Sequence, residues 1–132
     1  MQKTHMKKSK GQIESEISEA VIRFEKEFMG RGPVETKTYL IDDLVLVRLR
    51  GVMTPAEHQL ATTDDGPRGR ELIKQVRREL LEKGRALLQA VVQDVTGQKA
   101  ISLHTDISTI TGERVIVFTL DAQPNVILDE RE

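Results

Sequence analysis

Apolar residues recur at helical spacing over residues 12–29. Ile, Ala, Val and Phe repeat there at steps of three and four positions, with Glu, Ser, Arg and Lys between them. The apolar positions are Ile13, Ile17, Ala20, Val21, Phe24 and Phe28. Gly30, followed by Gly32-Pro33, is typical of a helix end. The pattern predicts an amphipathic helix that ends at Met29.

A second helical pattern spans residues 67–94, with Asp64 or Asp65 available as its N-cap. Its predicted apolar sector consists of Leu72, Ile73, Val76, Leu80, Gly84, Leu87 and Val91. Gly in a helix interior costs about 1 kcal/mol relative to Ala, so Gly84 indicates that another backbone approaches closely. A neighbouring edge, here called the basic stripe, carries Arg70, Lys74, Arg77, Arg78 and Arg85, and we expect it to face water.

Two further regions alternate with the period of two that is typical of β-strands. Residues 34–51 predict a hairpin that turns at Asp42-Asp43, and residues 101–120 predict a second hairpin that turns near Gly112. Residues 115–120 are apolar on both faces, which favours a central strand. Ile101, Leu103, Thr105 and Ile107 are expected on one face of the preceding strand. A short helix is predicted to start at Thr54-Pro55-Ala56-Glu57, where Thr54 and Glu57 have capping-box spacing.

These elements follow the order α-ββ-αα-ββ. The order predicts an α+β two-layer sandwich in which helices cover one face of a four-stranded, mostly antiparallel sheet. We expect residues 1–10 to form a disordered basic lead, residues 11–123 to form a single domain, and residues 124–132 to form a charged tail, with regular structure ending at Pro124.

Composition narrows the possible functions. The 132 residues carry 20 Lys and Arg against 21 Asp and Glu, so the net charge of −1 creates no overall attraction to nucleic acid. The absence of Cys excludes disulfides, thiolate metal sites and Cys nucleophiles. Three scattered His residues form no metal-binding pattern, so we expect no metal and no cofactor. No apolar run is long enough to span a bilayer, and a cytoplasmic location is expected.

The first candidate site combines Arg48 and Arg50 with His104 and Asp106. Each pair is two residues apart on a predicted strand, so both members of a pair lie on one face. If the hairpins form one sheet, the four side chains share a polar face and suit a small anion or acid–base chemistry. The alternative is a solvated or dimer-covered surface with cross-strand Arg–Asp pairs.

The second candidate is the basic stripe, Arg70, Lys74, Arg77, Arg78 and Arg85. It would bind an acidic partner surface or the phosphates of a nucleic acid. The alternative is a solvated helix edge, which the interleaved Glu residues and the near-zero net charge favour over nucleic-acid binding.

Several short segments resemble one bacterial family. They are Gly30-Arg31-Gly32-Pro33, residues 49–57, Gly69-Arg70-Glu71 with Arg77, Thr96-Gly97, His104-Thr105-Asp106-Ile107 and Val117-Phe118-Thr119-Leu120. This pattern resembles the MpsC-like family, which includes YbcI-like proteins and is described as the C component of a sodium-translocating, membrane-potential-generating system. The resemblance covers about residues 12–120 and supplies no catalytic residues.

The resemblance implies a soluble accessory protein of an ion or bicarbonate uptake system. We therefore expect a non-enzymatic accessory or regulatory protein, with a membrane transport protein as a possible partner that would hold it at the membrane periphery. The amphipathic first helix, the bare polar sheet face and the apolar sector that widens late in the long helix predict that it acts as a homodimer. The alternatives are a small-anion-binding module or minor enzyme built on the polar sheet face, and nucleic-acid binding through the basic stripe.

Overall fold

A computed structural model describes residues 8–63 and 65–127 of the chain. Within these residues the elements are β1 (Lys8–Ser9), α1 (Lys10–Met29), β2 (Glu35–Ile41), β3 (Leu44–Arg50), α2 (Pro55–Thr62), α3 (Gly66–Thr96), β4 (Ala100–Ile107), β5 (Arg114–Leu120) and β6 (Val126–Ile127). The predicted α+β class and the order α-ββ-αα-ββ of the main elements are confirmed.

The main sheet has the strand order β2-β3-β5-β4, and every neighbouring pair in it is antiparallel. β3 and β5 are therefore the central strands, which confirms the central position predicted for residues 115–120. A bulge between Ala100 and Ser102 inserts Ile101 as an extra residue in β4. Its side chain is 59% exposed, so its predicted place beside Leu103 on the core face was wrong: a bulge shifts the alternation of the strand by one position.

Helices cover one face of the sheet, where α1 contacts β2 and α3 contacts β4. The sheet contributes fully buried residues from its two central strands: Val45, Val47, Leu49, Ile116, Phe118 and Leu120. From α1, five of the predicted apolar positions are buried, and Phe28 is partly buried against the same core. The core thus forms between the two layers, as expected of a two-layer sandwich.

The buried face of α3 differs from the predicted sector. It passes through Ile73, Arg77, Leu81, Gly84, Leu88 and Val92, whereas the predicted Leu72, Val76 and Leu87 are 43%, 54% and 47% exposed. The apolar residues of α3 extend over a wider arc of its circumference than the neighbouring elements cover. α1, α2 and β4 cover the half of this arc that includes Arg77, and the half with Leu72, Val76 and Leu87 is exposed.

Two glycines allow close helix contacts. A Cβ at Gly84 would collide with the ring of Phe24 on α1, so the neighbour at Gly84 is a side chain and not the predicted backbone. The close backbone approach occurs at Gly69, where a Cβ would collide with the carbonyl group of Leu60 on α2. Gly69 therefore sets the distance between α2 and α3.

The predicted capping box of α2 and the glycines that end both long helices agree with the structure. Thr54 and Glu57 form the reciprocal capping box at the start of α2, with bonds of 3.2 Å and 2.9 Å. Asp65 lies at the N-cap of α3 but makes no side-chain capping bond, and Asp64 lies outside the described residues. Both α1 and α3 end at a glycine with positive φ, Gly30 and Gly97.

The chain ends also carry regular structure where they are described. Lys8–Ser9 pairs in parallel with Val126–Ile127, so regular structure continues beyond Pro124, contrary to the prediction. α1 likewise begins at Lys10, inside the segment expected to be disordered. Pairing between two short distant segments leaves no periodic signal in a sequence. The remainder of the predicted lead and tail, residues 1–7 and 128–132, lies outside the described residues.

The structure also bears on membrane insertion. Among the helices in the described ranges, none is both long and apolar enough to cross a membrane.

Candidate functional site

Arg77 lies at the centre of a buried charge cluster between the helices and the sheet. Its side chain is 4% exposed and binds Glu57 through two hydrogen bonds of 2.7 Å, one from Nε and one from Nη2. Nη2 also donates to the carbonyl oxygen of Val52 at 2.9 Å. These bonds hold the guanidinium group in one orientation and connect α3 to α2 and to the segment after β3.

Glu57 has two structural roles. Its Oε1 accepts a hydrogen bond from the Thr54 N–H at the start of α2, and both carboxylate oxygens accept from Arg77. Burial alone would raise the pKa of Glu57, but the bonds from Arg77 and from Thr54 outweigh it and lower the pKa below its ordinary value. The carboxylate is therefore stabilised in its ionised form.

A second buried pair joins Glu25 of α1 to Arg114 of β5. The side chains are 1% and 2% exposed, and Arg114 Nη1 lies 3.6 Å from Glu25 Oε2, too far for a hydrogen bond. Arg114 Nε donates to the hydroxyl of Thr105 at 3.2 Å. Burial raises the pKa of Glu25, against the opposing effect of Arg114 and Arg77, and it lowers the pKa of Arg114. This pair is thus much less well stabilised than Arg77–Glu57.

The sequence contained a signal for these buried charges that the predictions did not use. Arg77 lies four residues from both Ile73 and Leu81, and Glu25 lies four residues after Val21, so both occupy the buried stripe of a helix. Arg114 precedes the buried Ile116 by two residues and so shares its face of the strand. A charged residue at a position where the helix or strand period calls for a buried apolar residue is the sequence signal of such a cluster.

A cavity of about 60 Å³ opens beside the two buried arginines. Its lining residues are Lys74, Arg77 and Arg78 of α3, Thr105, Asp106 and Ile107 of β4, and Arg114 of β5. Lys74 Nζ and Asp106 Oδ1 are 3.8 Å apart, and their side chains are 36% and 81% exposed. The cavity therefore combines residues from both predicted sets with Arg114, which neither set contained.

The structure does not gather the first predicted set into one site. Arg48 and Asp106 both pair with Val115, so they share the helix-free face but lie on opposite sides of β5, about 10 Å apart. Arg48 is bonded to Glu113 at 2.6 Å, and Arg50 lies 3.7 Å from Glu35. His104 is exposed on the edge strand β4. Asp106 instead lines the cavity with Lys74.

The basic stripe is also divided. Arg77 is buried, contrary to the expectation that it faces water, because it lies on the core side of α3 and pairs there with Glu57. Arg70 donates to the carbonyl oxygen of Ala61, and Arg85 to Glu82 and to the carbonyl oxygen of Leu103. Arg78 is exposed. Binding of a partner or nucleic acid by the stripe stays a prediction.

The helix-free face of the sheet has an apolar centre and was expected to be polar. We define this open sheet face by Tyr39, Ile41, Leu44, Leu46, Val115 and Val117. Tyr39 and Ile41 are 40% and 50% exposed, and the other four are partly buried. The charged residues of this face, including Arg48 and Arg50 with their acidic partners, lie toward one end of it.

Chemically, the cavity offers N–H donors and positive charge. Nη1 of Arg77 and Nη1 of Arg114 are buried and have no hydrogen-bond partner among the described residues. Within the same ranges no cluster of three or more His, Asp or Glu residues could hold a metal ion. The arrangement suits recognition of a negatively charged group.

Comparison with known proteins identifies the family. The family model described as "Na+-translocating membrane potential-generating system (MpsC)" matches residues 9–122. The chain is 47% identical to the uncharacterized protein YbcI of Bacillus subtilis (strain 168) over 115 residues, which cover 87% of this chain and 90% of YbcI.

The chain is also 25% identical to the uncharacterized protein YrhF of the same strain over 107 residues, 80% of this chain and 85% of YrhF. No solved structure matches significantly. Because the family model matches almost the whole described region, from the end of β1 to the end of β5, the chain belongs to the MpsC family.

Proposed function

We propose that the protein is a non-enzymatic accessory or regulatory component of a membrane ion-transport system, of the sodium-translocating kind named in the description of its family. Membership of the MpsC family over residues 9–122 is the observation that carries this proposal. In this role the chain acts through contacts with other protein chains, and it does so as a homodimer.

The open sheet face supports the proposal of protein contacts. β3 and β5 are apolar on both faces, a pattern that is typical of strands covered on both sides. In the part of the chain that the structure describes, the helices cover only one side of the sheet. Leu44, Leu46, Val115 and Val117 therefore present a continuous apolar centre that a protein partner would cover.

The charge distribution on the open sheet face is compatible with binding to the same face of a second copy of the chain. In a twofold dimer the same patch meets itself, so an uncharged centre avoids the repulsion of like charges. Two nearby cations are paired within each copy, Arg48 with Glu113 and Arg50 with Glu35, whereas Lys37 at the margin of the face has no ion pair among the described residues. Two open sheet faces can thus meet with apolar residues in the middle and these charged residues at the margin.

Deletion of the gene in its native host tests the transport role. We expect the deletion to lower the membrane potential in sodium medium and to have little effect when potassium replaces sodium, because the system would generate potential by moving Na+. A potential-sensitive dye reports the difference. Wild-type protein supplied in trans should restore the potential, whereas Leu46→Lys, which places a charge in the open sheet face, should restore less.

The matched control for this complementation is Ile110→Lys. It adds the same charge at a side chain that is 90% exposed in the turn between β4 and β5. An equal membrane potential with and without the gene in sodium medium would refute the transport role. Equal rescue by L46K and wild type would refute the role of the open sheet face in it.

A further inference from the structure

The cavity beside Arg77 and Arg114 has the size of a small-ligand site. A buried water needs about 10–15 Å³ of such space, so the cavity of about 60 Å³ accommodates roughly four waters or one small molecule of four or five heavy atoms. Its wall joins the middle of α3 to the ends of β4 and β5 that lie next to their connecting turn.

Two guanidinium groups in the wall are held in fixed positions. Glu57 and the Val52 carbonyl orient Arg77, and Thr105 and Glu25 orient Arg114. Both side chains are more than nine-tenths buried, so neither can turn to bulk water. Each has an Nη1 without a hydrogen-bond partner among the described residues. Arg114 Nη1 lies 3.6 Å from Glu25 Oε2, so Arg77 Nη1 is the donor of the two that lacks a nearby carboxylate in the described part of the chain. A buried charged donor without an acceptor is costly, which favours a ligand that supplies one.

The charges around the cavity leave a positive excess. Four cations line it: Lys74, Arg77, Arg78 and Arg114. Three carboxylates face these cations: Glu57 on Arg77, Glu25 on Arg114 and Asp106 on Lys74. One positive charge remains uncompensated within this group. Arg78 makes no ion pair within the described ranges, and its exposed side chain lies at the outer part of the wall.

We propose that this cavity binds a small oxyanion, such as a carboxylate or a phosphate, against Arg77 and Arg114, with Lys74 and Arg78 at its mouth. Glu57 occupies Nε and Nη2 of Arg77, and Thr105 occupies Nε of Arg114, so the buried N–H donors left without a partner among the described residues are those of the two Nη1 groups. Donors on two separate guanidinium groups match an anion with several oxygens better than a spherical halide. The site is independent of the proposed transport role, because it depends only on the cavity and its lining charges.

Binding is tested on the full-length protein with sodium phosphate, sodium sulfate and sodium formate as separate probes. Sodium chloride at equal ionic strength is the baseline. We expect at least one oxyanion to raise the thermal unfolding temperature saturably and to give a measurable Kd by calorimetry. The three probes distinguish a tetrahedral ligand from a carboxylate.

Two variants, one at the partly exposed Lys74 and one at the exposed Arg78, locate the site without removing a buried arginine. Lys74→Gln and Arg78→Gln should each weaken binding about tenfold, the effect of losing one charge-assisted hydrogen bond. Lys83→Gln makes the same change as Lys74→Gln on the exposed side of the same helix, and it should bind like wild type. Circular dichroism confirms that all three variants remain folded.

Three results would overturn the proposal. They are the absence of a saturable effect of any oxyanion at millimolar concentration, an equal effect of chloride, and oxyanion binding that K74Q and R78Q leave unchanged. The last result would place the bound anion elsewhere on the molecule.

Discussion

At the residue scale, the main finding is that three charged side chains, Glu25, Arg77 and Arg114, lie inside the core, with Glu57 partly buried at its edge. Arg77 and Glu57 satisfy each other through short hydrogen bonds, whereas Glu25 and Arg114 are close but not hydrogen-bonded. The two carboxyl groups consequently shift in opposite directions: the pKa of Glu57 falls and the pKa of Glu25 rises. As the pH rises, ionisation of Glu57 therefore stabilises the fold, whereas ionisation of Glu25 destabilises it.

The substitution Glu57→Gln tests how the contribution of Glu57 to stability changes with pH. A lowered pKa in the folded state contributes stability that is present above the ordinary value of 4.5 and is lost as the pH falls through the folded-state pKa. At pH 7 we expect E57Q to lose about 1.5–3 kcal/mol of unfolding free energy, the value of hydrogen bonds to a charged group. The difference from wild type should shrink as the pH falls below 4.5. Urea unfolding at several pH values measures it.

The control for this experiment is Glu82→Gln. Glu82 pairs with Arg85 on the exposed side of α3, where ion pairs contribute about 0–1 kcal/mol.

Glu25 affects stability in the opposite direction. Its raised pKa gives stability that is present below pH 4.5 and is lost as the pH rises through the folded-state pKa. Because the charge of Glu57 is one of the causes that raise the pKa of Glu25, E57Q also reduces this contribution. A difference that stays constant from pH 7 to acid would contradict the role of Glu57 ionisation.

At the element scale, the packing of α1 on α3 decides which half of the apolar arc of α3 is buried. Phe24 lies against Gly84 and stacks on Phe28 with ring centroids 4.6 Å apart. This contact turns Gly84, Leu81 and Leu88 inward and leaves Leu72, Val76 and Leu87 exposed. A glycine in a helix interior is unfavourable by itself, so Gly84 is explained by the ring that it admits.

Gly84→Ala tests this packing. In an isolated helix the substitution would stabilise by about 1 kcal/mol. Here we expect a net loss of about 1–3 kcal/mol, because the new methyl group would overpack against a ring that is only 3% exposed. Thermal or urea unfolding of the purified variant gives the value.

Phe24→Leu supplies the second half of a double-mutant cycle with Gly84→Ala. The leucine side chain is smaller than the phenyl ring that it replaces, so the double variant should be more stable than the sum of the two single changes predicts. Strict additivity, or a more stable G84A single variant, would show that Phe24 does not restrict position 84.

At the scale of the whole molecule, the sheet has one face covered by helices and one open face. The covered face contains the core, and the open sheet face has an apolar centre with charged pairs toward one end. A domain of this size leaves considerable apolar area unburied unless a partner covers it. The proposed homodimer would provide that cover.

Sedimentation velocity tests the dimer directly. We expect wild type to sediment with twice the 14.9 kDa mass of one chain. Leu46→Lys should shift the population to the single-chain mass, since it would bury an unpaired charge at the centre of the interface. Ile110→Lys, in the exposed turn, should remain dimeric. A monomeric wild type, or a dimeric L46K, would contradict the proposed interface.

Much of the fold could be predicted from the sequence because its determinants are local. The three-to-four-residue period of α1, the capping box at Thr54 and Glu57, and the glycines after both long helices act within a few residues of one another. Together they predicted the order and type of the main elements. The family could also be recognised from short segments, several of which lie at the ends of helices or strands.

Only the tertiary structure decided the site. Which half of the apolar arc of α3 is buried depends on Phe24, 60 positions earlier in the chain, and this choice carries Arg77 into the core. The bulge at Ile101 and the pairing of β1 with β6 depend likewise on distant strands. The sequence by itself determined the elements, because periodicity and capping are local properties. The cavity between Arg77 and Arg114 required the fold, because it joins side chains that come together only when α3 packs on β4 and β5.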